Sequence, residues 1–220
     1  MIASVATDIQ RALAWRFHWY RQSELEGALL LGRMVRLAGD ERLCQQLTRH
    51  CADEARHSLL WSETIGDLGL RHVRIFRSYQ SLYLEQGGAP GTLVEVLAFT
   101  QIFERRVHRQ FHAELRRPAT PDRARRTFQF MIEDERDHLG WVRDWLEARP
   151  ESGRLLRRYQ EIDLAVYRKV RAYQDCLWAW PGLGREARVD DAETTPLLIP
   201  TRDQERGVRG NASQFASNQK

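Results

Sequence analysis

Apolar residues return at intervals of three, four and eleven along most of the chain, the spacing of helices that each bury one face. From about Val5 to Ala38 this puts Phe17, Tyr20, Leu31, Val35 and Ala38 on one side, and Gly39-Asp40 predicts the end of that helix and the cap of the next. A second helix is predicted from about Glu41 to Leu68, on a stripe of Leu43, Leu47, Cys51, Trp61, Ile65 and Leu68, closing at Gly69. Two long helices joined by so short a turn are antiparallel neighbours. Residues 71–90 lose the rhythm and end in Gly87-Gly88-Ala89-Pro90, which predicts a long connection. A third helix, about Thr92 to Arg116, aligns Leu93, Leu97, Val107 and Phe111 and stops before Pro118. Thr120-Pro121-Asp122 opens a fourth, with Pro121 at the first helical position and a stripe of Phe128, Met131, Ile132, Leu139, Val142 and Leu146. Pro150 and Gly153 frame the break before a fifth, about Leu155 to Trp180, which presents Ile162, Val166, Val170, Tyr173 and Leu177. Short turn, long crossover, short turn predicts an all-α four-helix bundle with one long crossover and an additional C-terminal helix, a single domain over residues 1–182. Residues 183–220 are polar and without period, so an irregular tail is expected, with Leu197-Leu198-Ile199 as the one stretch able to dock.

Composition narrows the class. Of 220 residues, 42% are hydrophobic and 29% charged, which suits a globular domain and excludes whole-chain disorder or a fibrous repeat. No run approaches the roughly 18 consecutive apolar residues of a membrane span. The opening MIASVATDIQRALAW reaches Asp8 and Arg11 before an apolar run of signal-peptide length forms, so a cytoplasmic address is expected. Three cysteines, Cys44, Cys51 and Cys176, make no disulfide framework and contain no CxxC pair for a zinc ribbon or a rubredoxin-type iron site. The formal charge is +4, with only two lysines, Lys169 and Lys220, among 34 basic residues. The arginines fall in short clusters beside acids, such as Arg105-Arg106 after Glu104, which reads as solvated helix faces and argues against a nucleic-acid partner.

The chemistry lies where charge interrupts the apolar stripes. Glu54-x-x-His57 on the second helix continues Leu47, Cys51 and Trp61, and Glu135-x-x-His138 on the fourth continues Met131, Ile132 and Val142. Residues three apart project to one side of a helix, so each carboxylate and imidazole converge. A carboxylate on a core face costs several kcal/mol unless it is paired or bound to a metal. The other two long helices each repeat the oddity: Glu24 falls on the face of Phe17, Tyr20 and Leu31, and Glu104 on that of Leu97, Val107 and Phe111, with Glu26 and Glu95 as the alternatives if the helix phase differs. Glu54 follows Glu24 by 30 residues and Glu135 follows Glu104 by 31, so up one helix and down the next returns the chain to one level. Four carboxylates bring a charge of about −4, which two divalent cations neutralise.

With these motifs the sequence resembles the ferritin-like di-iron carboxylate superfamily, which includes rubrerythrins, aldehyde-deformylating oxygenases and bacterial multicomponent monooxygenases. The resemblance covers the bundle helices, about residues 10–148, and implies two iron ions, with manganese accepted by the same ligands. It implies that Glu54 and Glu135 bridge or chelate both metals, that Glu24 and Glu104 are terminal, and that His57 and His138 bind one metal each. It also implies that Asp53 and Asp134 support histidines across the bundle, Asp53 with His138 and Asp134 with His57. Arg56 completes the Asp-Glu-x-Arg-His segment of the second helix, whereas Asp137 stands at the matching place on the fourth.

The function expected on this basis is that of a non-haem di-iron oxygenase or oxidase, acting with O2 on a small organic substrate in an apolar cavity beside the metals. With no cysteine redox module in the chain, electrons come from a ferredoxin, a separate reductase or the substrate; a homodimer stays open. The alternatives are a ferroxidase, iron-handling or peroxide-scavenging ferritin-like protein, and a metal-free partner-binding bundle with polar core pairs or an RNA-modifying hydroxylase that uses the arginines. His108 and His112, spaced i and i+4, read as helix-surface or packing histidines, and Cys44 and Cys51 as small buried hydrophobes.

Overall fold

A computed structural model of the chain describes residues 2–75 and 77–178, with side chains over 9–75 and 77–170. Six α-helices and no strand occur among the described residues: α1 (Ile2–Val35), α2 (Glu41–Asp67), α3 (Tyr79–Gly87), α4 (Leu93–Leu115), α5 (Asp122–Glu147) and α6 (Ser152–Trp178). Their ends follow local chemistry. The Asp40 carboxylate accepts the Leu43 N–H at 2.8 Å and so satisfies one of the donors left free in the first turn of α2. At the other end Gly69 takes φ 59°, a left-handed value that suits glycine, and the Leu70 N–H returns to the Ile65 carbonyl. Thr92 and Glu95 cap α4 reciprocally.

The α1–α2 and α4–α5 pairs form two hairpins that meet through α2 and α5, while α6 lies across α4 and α3. Two apolar clusters fill the bundle. Leu31, Leu47, Leu97 and Val142 belong to one, and Tyr20, Trp61, Val107 and Ile132 to the other. On α2, α4 and α5 the chain passes from one cluster to the other across a short polar interval, and on α1 Glu24 lies between Tyr20 and Leu31. Because neighbouring helices run in opposite directions, those intervals form a belt at one level.

Three local expectations change. The connection over 71–90 contains the nine-residue helix α3, too short to show a helical period but capped by Ser78, whose hydroxyl accepts the Ser81 N–H. Pro121 is the N-cap of α5 instead of its first helical residue, since its carbonyl accepts the first intrahelical bond, from the Arg125 N–H at 2.9 Å. Cys44 and Cys51 are half-buried; the Cys51 thiol reaches the Ala28 carbonyl in the space left by Gly32. The expectations for 183–220, including Leu197-Leu198-Ile199, fall outside the described residues. No helix among the described residues is long and apolar enough to cross a membrane.

Candidate metal centre

Seven titratable side chains occupy the polar belt. α2 contributes His50, Glu54 and His57, one and two turns apart on its inward face, α5 contributes Glu135 and His138, and α1 and α4 contribute Glu24 and Glu104. None is more than 6% exposed. Glu54 fits because residue 27 of α1 is glycine: a Cβ there would stand 2.5 Å from Glu54 Oε2.

The donor atoms fall into two groups that share Glu54: His50, Glu54, Glu104 and His138, and Glu24, Glu54, His57 and Glu135. Within each group one donor atom per residue lies within 4.8 Å of all the others. Glu54 Oε1 is the hub, 3.6 Å from His50 Nε2 and 3.8 Å from both His57 Nδ1 and His138 Nδ1. Glu135 Oε2 also lies 3.8 Å from His138 Nδ1, so this carboxylate borders both groups.

These atoms converge on one another yet make no hydrogen bonds. His50 Nε2, His57 Nδ1, His138 Nδ1, Glu54 Oε1, Glu104 Oε2 and Glu135 Oε2 are all buried without a partner. Even where His50 Nε2 and Glu104 Oε1 come within 2.8 Å, the ring N–H direction does not meet the oxygen. Buried polar atoms are ordinarily satisfied, and a convergent set left unsatisfied fits a bound cation. Both groups are able to hold metal ions.

The outer nitrogens are held. His57 Nε2 lies 3.0 Å from Asp134 Oδ2 and His138 Nε2 lies 3.2 Å from Asp53 Oδ2, each across the α2–α5 interface. A carboxylate only accepts, so each Nε2 donates and turns Nδ1 toward the centre. Arg56 Nη2 donates to Asp53 Oδ1 and Asp134 Oδ2, both at 2.8 Å, and ties the two supports together.

Electrostatics express the same demand for positive charge. Burial and the neighbouring charge of Glu54 push Glu24 up to about 8. Burial disfavours protonated imidazole, yet Glu104 and Glu54 outweigh it at His50 and hold its pKa at about 10. At His57 burial is outweighed by Asp134, Glu24 and Glu54, which raise it to about 11. Glu54 is held below its ordinary value: burial opposes this, but His50, His57 and His138 surround it.

All six residues singled out from the sequence stand in these groups, while the alternatives stand elsewhere. Glu26 accepts from Gln22 and Ser78, and Glu95 caps α4 and meets Arg158. His112 is exposed and His108 half-buried, and neither belongs to either group. His50 was missed. Its signal was its spacing, one turn before Glu54 on the stripe that Glu54 and His57 share, and a search limited to Glu-x-x-His passes over it.

The centre is closed on its histidine side by Asp53, Asp134 and Arg56. Between α1 and α4 a gap of about 20 Å³ is bordered by all four glutamates and by Leu30, Phe99 and Phe103. Leu30, Gln80 and Phe99 also line an adjoining cavity of about 360 Å³, whose outer walls include Leu29, Leu84 and Tyr159. Gln80, on α3, is fixed there by hydrogen bonds with the Ser23 hydroxyl and carbonyl. A larger hollow of about 730 Å³ touches His138 and Asp53 from outside but is walled by charged residues such as Arg42, Asp137 and Asp144.

The class this defines is a helical bundle with paired His/Glu groups in its core, suited to metal ions. No family model, curated protein or solved structure matches the chain.

Proposed function

We propose that the chain is a ferritin-like non-haem di-iron oxidase or oxygenase that uses O2 and an external electron donor, such as a ferredoxin or a reductase, on a small organic molecule. The observation that carries this reading is the convergence of unpartnered donor atoms into two groups joined by one carboxylate. Glu54 and Glu135 would bridge, Glu24 and Glu104 would each serve one metal, and His57 and His138 would face opposite metals, with His50 beside His138. Two redox-active metal ions held there would supply electrons and exchangeable positions for O2 chemistry. Asp53 and Asp134 hold the Nε2 protons and so fix which nitrogen faces inward. Arg56 balances the charge of both aspartates, and the apolar walls of α1 and α4 exclude water from the carboxylate side. The substrate would occupy the 360 Å³ cavity and reach the centre past Leu30, Gln80 and Phe99.

Anaerobic addition of Fe(II) to the metal-free protein, with metal counted by mass spectrometry, should give two ions per chain. Candidate substrates are then screened by O2 consumption in the presence of reductant. Uptake of no iron overturns the reading. Cage-sized assemblies with rapid mineral formation would assign the chain to iron storage, and Leu30→Trp should slow substrate-dependent O2 consumption without lowering iron content.

A further inference from the structure

The two donor groups differ in kind. One offers two imidazoles and two carboxylates, from His50, His138, Glu54 and Glu104; the other offers one imidazole and three carboxylates, from His57, Glu24, Glu54 and Glu135. They differ less in closeness than in kind. Donors around one ion at about 2.0–2.2 Å stand roughly 3–3.5 Å from one another. In the first group His50 Nε2 is 2.8 Å from Glu104 Oε1 and 3.6 Å from Glu54 Oε1, and His138 Nδ1 is 3.8 Å from Glu54 Oε1. In the second the contacts around His57 Nδ1 are 3.5 Å to Glu24 and 3.8 Å to Glu54.

His50 is fixed in a different way from the other two histidines. Its Nδ1 has no acceptor, whereas His57 and His138 each have an aspartate. Its ring instead stacks on that of His138 at 3.7 Å and meets the Trp141 ring edge-on at 5.8 Å. Packing therefore orients the imidazole and leaves Nε2 beside the two carboxylates without a hydrogen bond to either.

We propose that the two metal positions are unequal, and that the group containing His50 is filled first and more tightly, giving a stable one-metal form before the group containing His57 is loaded. This rests on the dimetal reading above. Imidazole nitrogens suit Fe(II), Co(II) and Zn(II), whereas an oxygen-rich set suits Mn(II) and Mg(II). The nitrogen-richer position is thus the selective one, and the oxygen-richer position the weaker and more exchangeable one. Glu54, shared by both, is committed by the first ion and presents only part of its charge to the second.

The test is an anaerobic titration of the metal-free full-length chain with Co(II), followed by visible absorption and calorimetry. Two steps at least tenfold apart in affinity are expected, each of about one ion per chain. His50→Ala should weaken the tighter step by tenfold or more and merge it with the other. His57→Ala, a separate check should the first variant fold poorly, should remove the weaker step and leave the tighter one. Two equal steps in the unaltered chain, or an unchanged tight step in folded His50→Ala, would overturn the inequality alone. Absence of cobalt uptake would overturn the dimetal reading itself, and the inequality with it.

Discussion

Two buried carboxylate clusters in the same bundle are built on opposite terms. On α6, Asp163 is 2% exposed, yet both its oxygens are used: Tyr83 donates to Oδ1, and Arg106 donates to Oδ2 through Nε at 2.9 Å and through Nη2. One acid meets one cation and one hydroxyl, and neither carboxylate oxygen is left without a partner. In the polar belt four acids meet three histidines, and atoms from six of those seven residues have no partner. The first cluster is a structural joint between α3, α4 and α6. The second leaves convergent donor atoms that are able to hold metal ions. Burial and charge alone would not have told them apart; the satisfaction of individual atoms does.

The largest effect that would break this contrast comes from Glu54→Ala. Removing the shared carboxylate should abolish uptake of both ions, read as metal per chain by mass spectrometry; retention of two ions would show that Glu54 is not the hub. Asp163→Ala should do the reverse. Loss of its bonds to Tyr83 and to the partly exposed Arg106 should lower unfolding free energy by about 3 kcal/mol in denaturant titrations, with metal content unaltered. Asp134→Asn leaves the inner donors in place but weakens the hold on His57, and should reduce metal affinity about 10–100-fold by competition with a chelator. Gly27→Ala should cost about tenfold in the same assay, because its Cβ displaces the flexible end of Glu54, while the fold itself gains slightly from the better helix former, by up to about 1 kcal/mol.

The gentlest test is pH. Glu24 titrates at about 8 in the fold against an ordinary 4.5, so the stability it contributes is full below pH 4.5 and lost as pH rises through 8. His50 and His57, at about 10 and about 11 against 6.5, contribute fully below pH 6.5 and lose it toward those higher values. The thermal midpoint of the metal-free chain should therefore fall steadily as pH rises from about 5 to about 10, beyond what Asp163→Ala alters, and bound metal should flatten that fall at the alkaline end. A metal-free midpoint that stays level over this range would show that protons do not stand in for cations at the centre.

Much of the centre was legible because an α-helix repeats every 3.6 residues whatever surrounds it. That period alone put Glu24, Glu54, His57, Glu104, Glu135 and His138 on apolar faces, and the near-equal intervals put them at one level. The same period also put His50 on the face of Glu54 and His57, but the position one turn earlier invited no attention without a neighbour to aim at. α3 was illegible for a different reason: nine residues complete too few turns for a period to show, and its placement depends on Gln80 and Tyr79 finding α1 and α4.

By itself, then, the sequence determined the helical class, the two hairpins and the residues that each helix turns inward, since all of these follow from spacing along one chain. Tertiary structure decided what no spacing contains: that His50 lies against Glu104, that Gly27 makes room for Glu54, and that the open side of the centre faces α1 and α4 beneath Gln80. These depend on how far each helix is rotated and advanced against its neighbours, which is set by the packing of Tyr20, Trp61, Leu97 and Val142 in the two apolar clusters on either side of the belt.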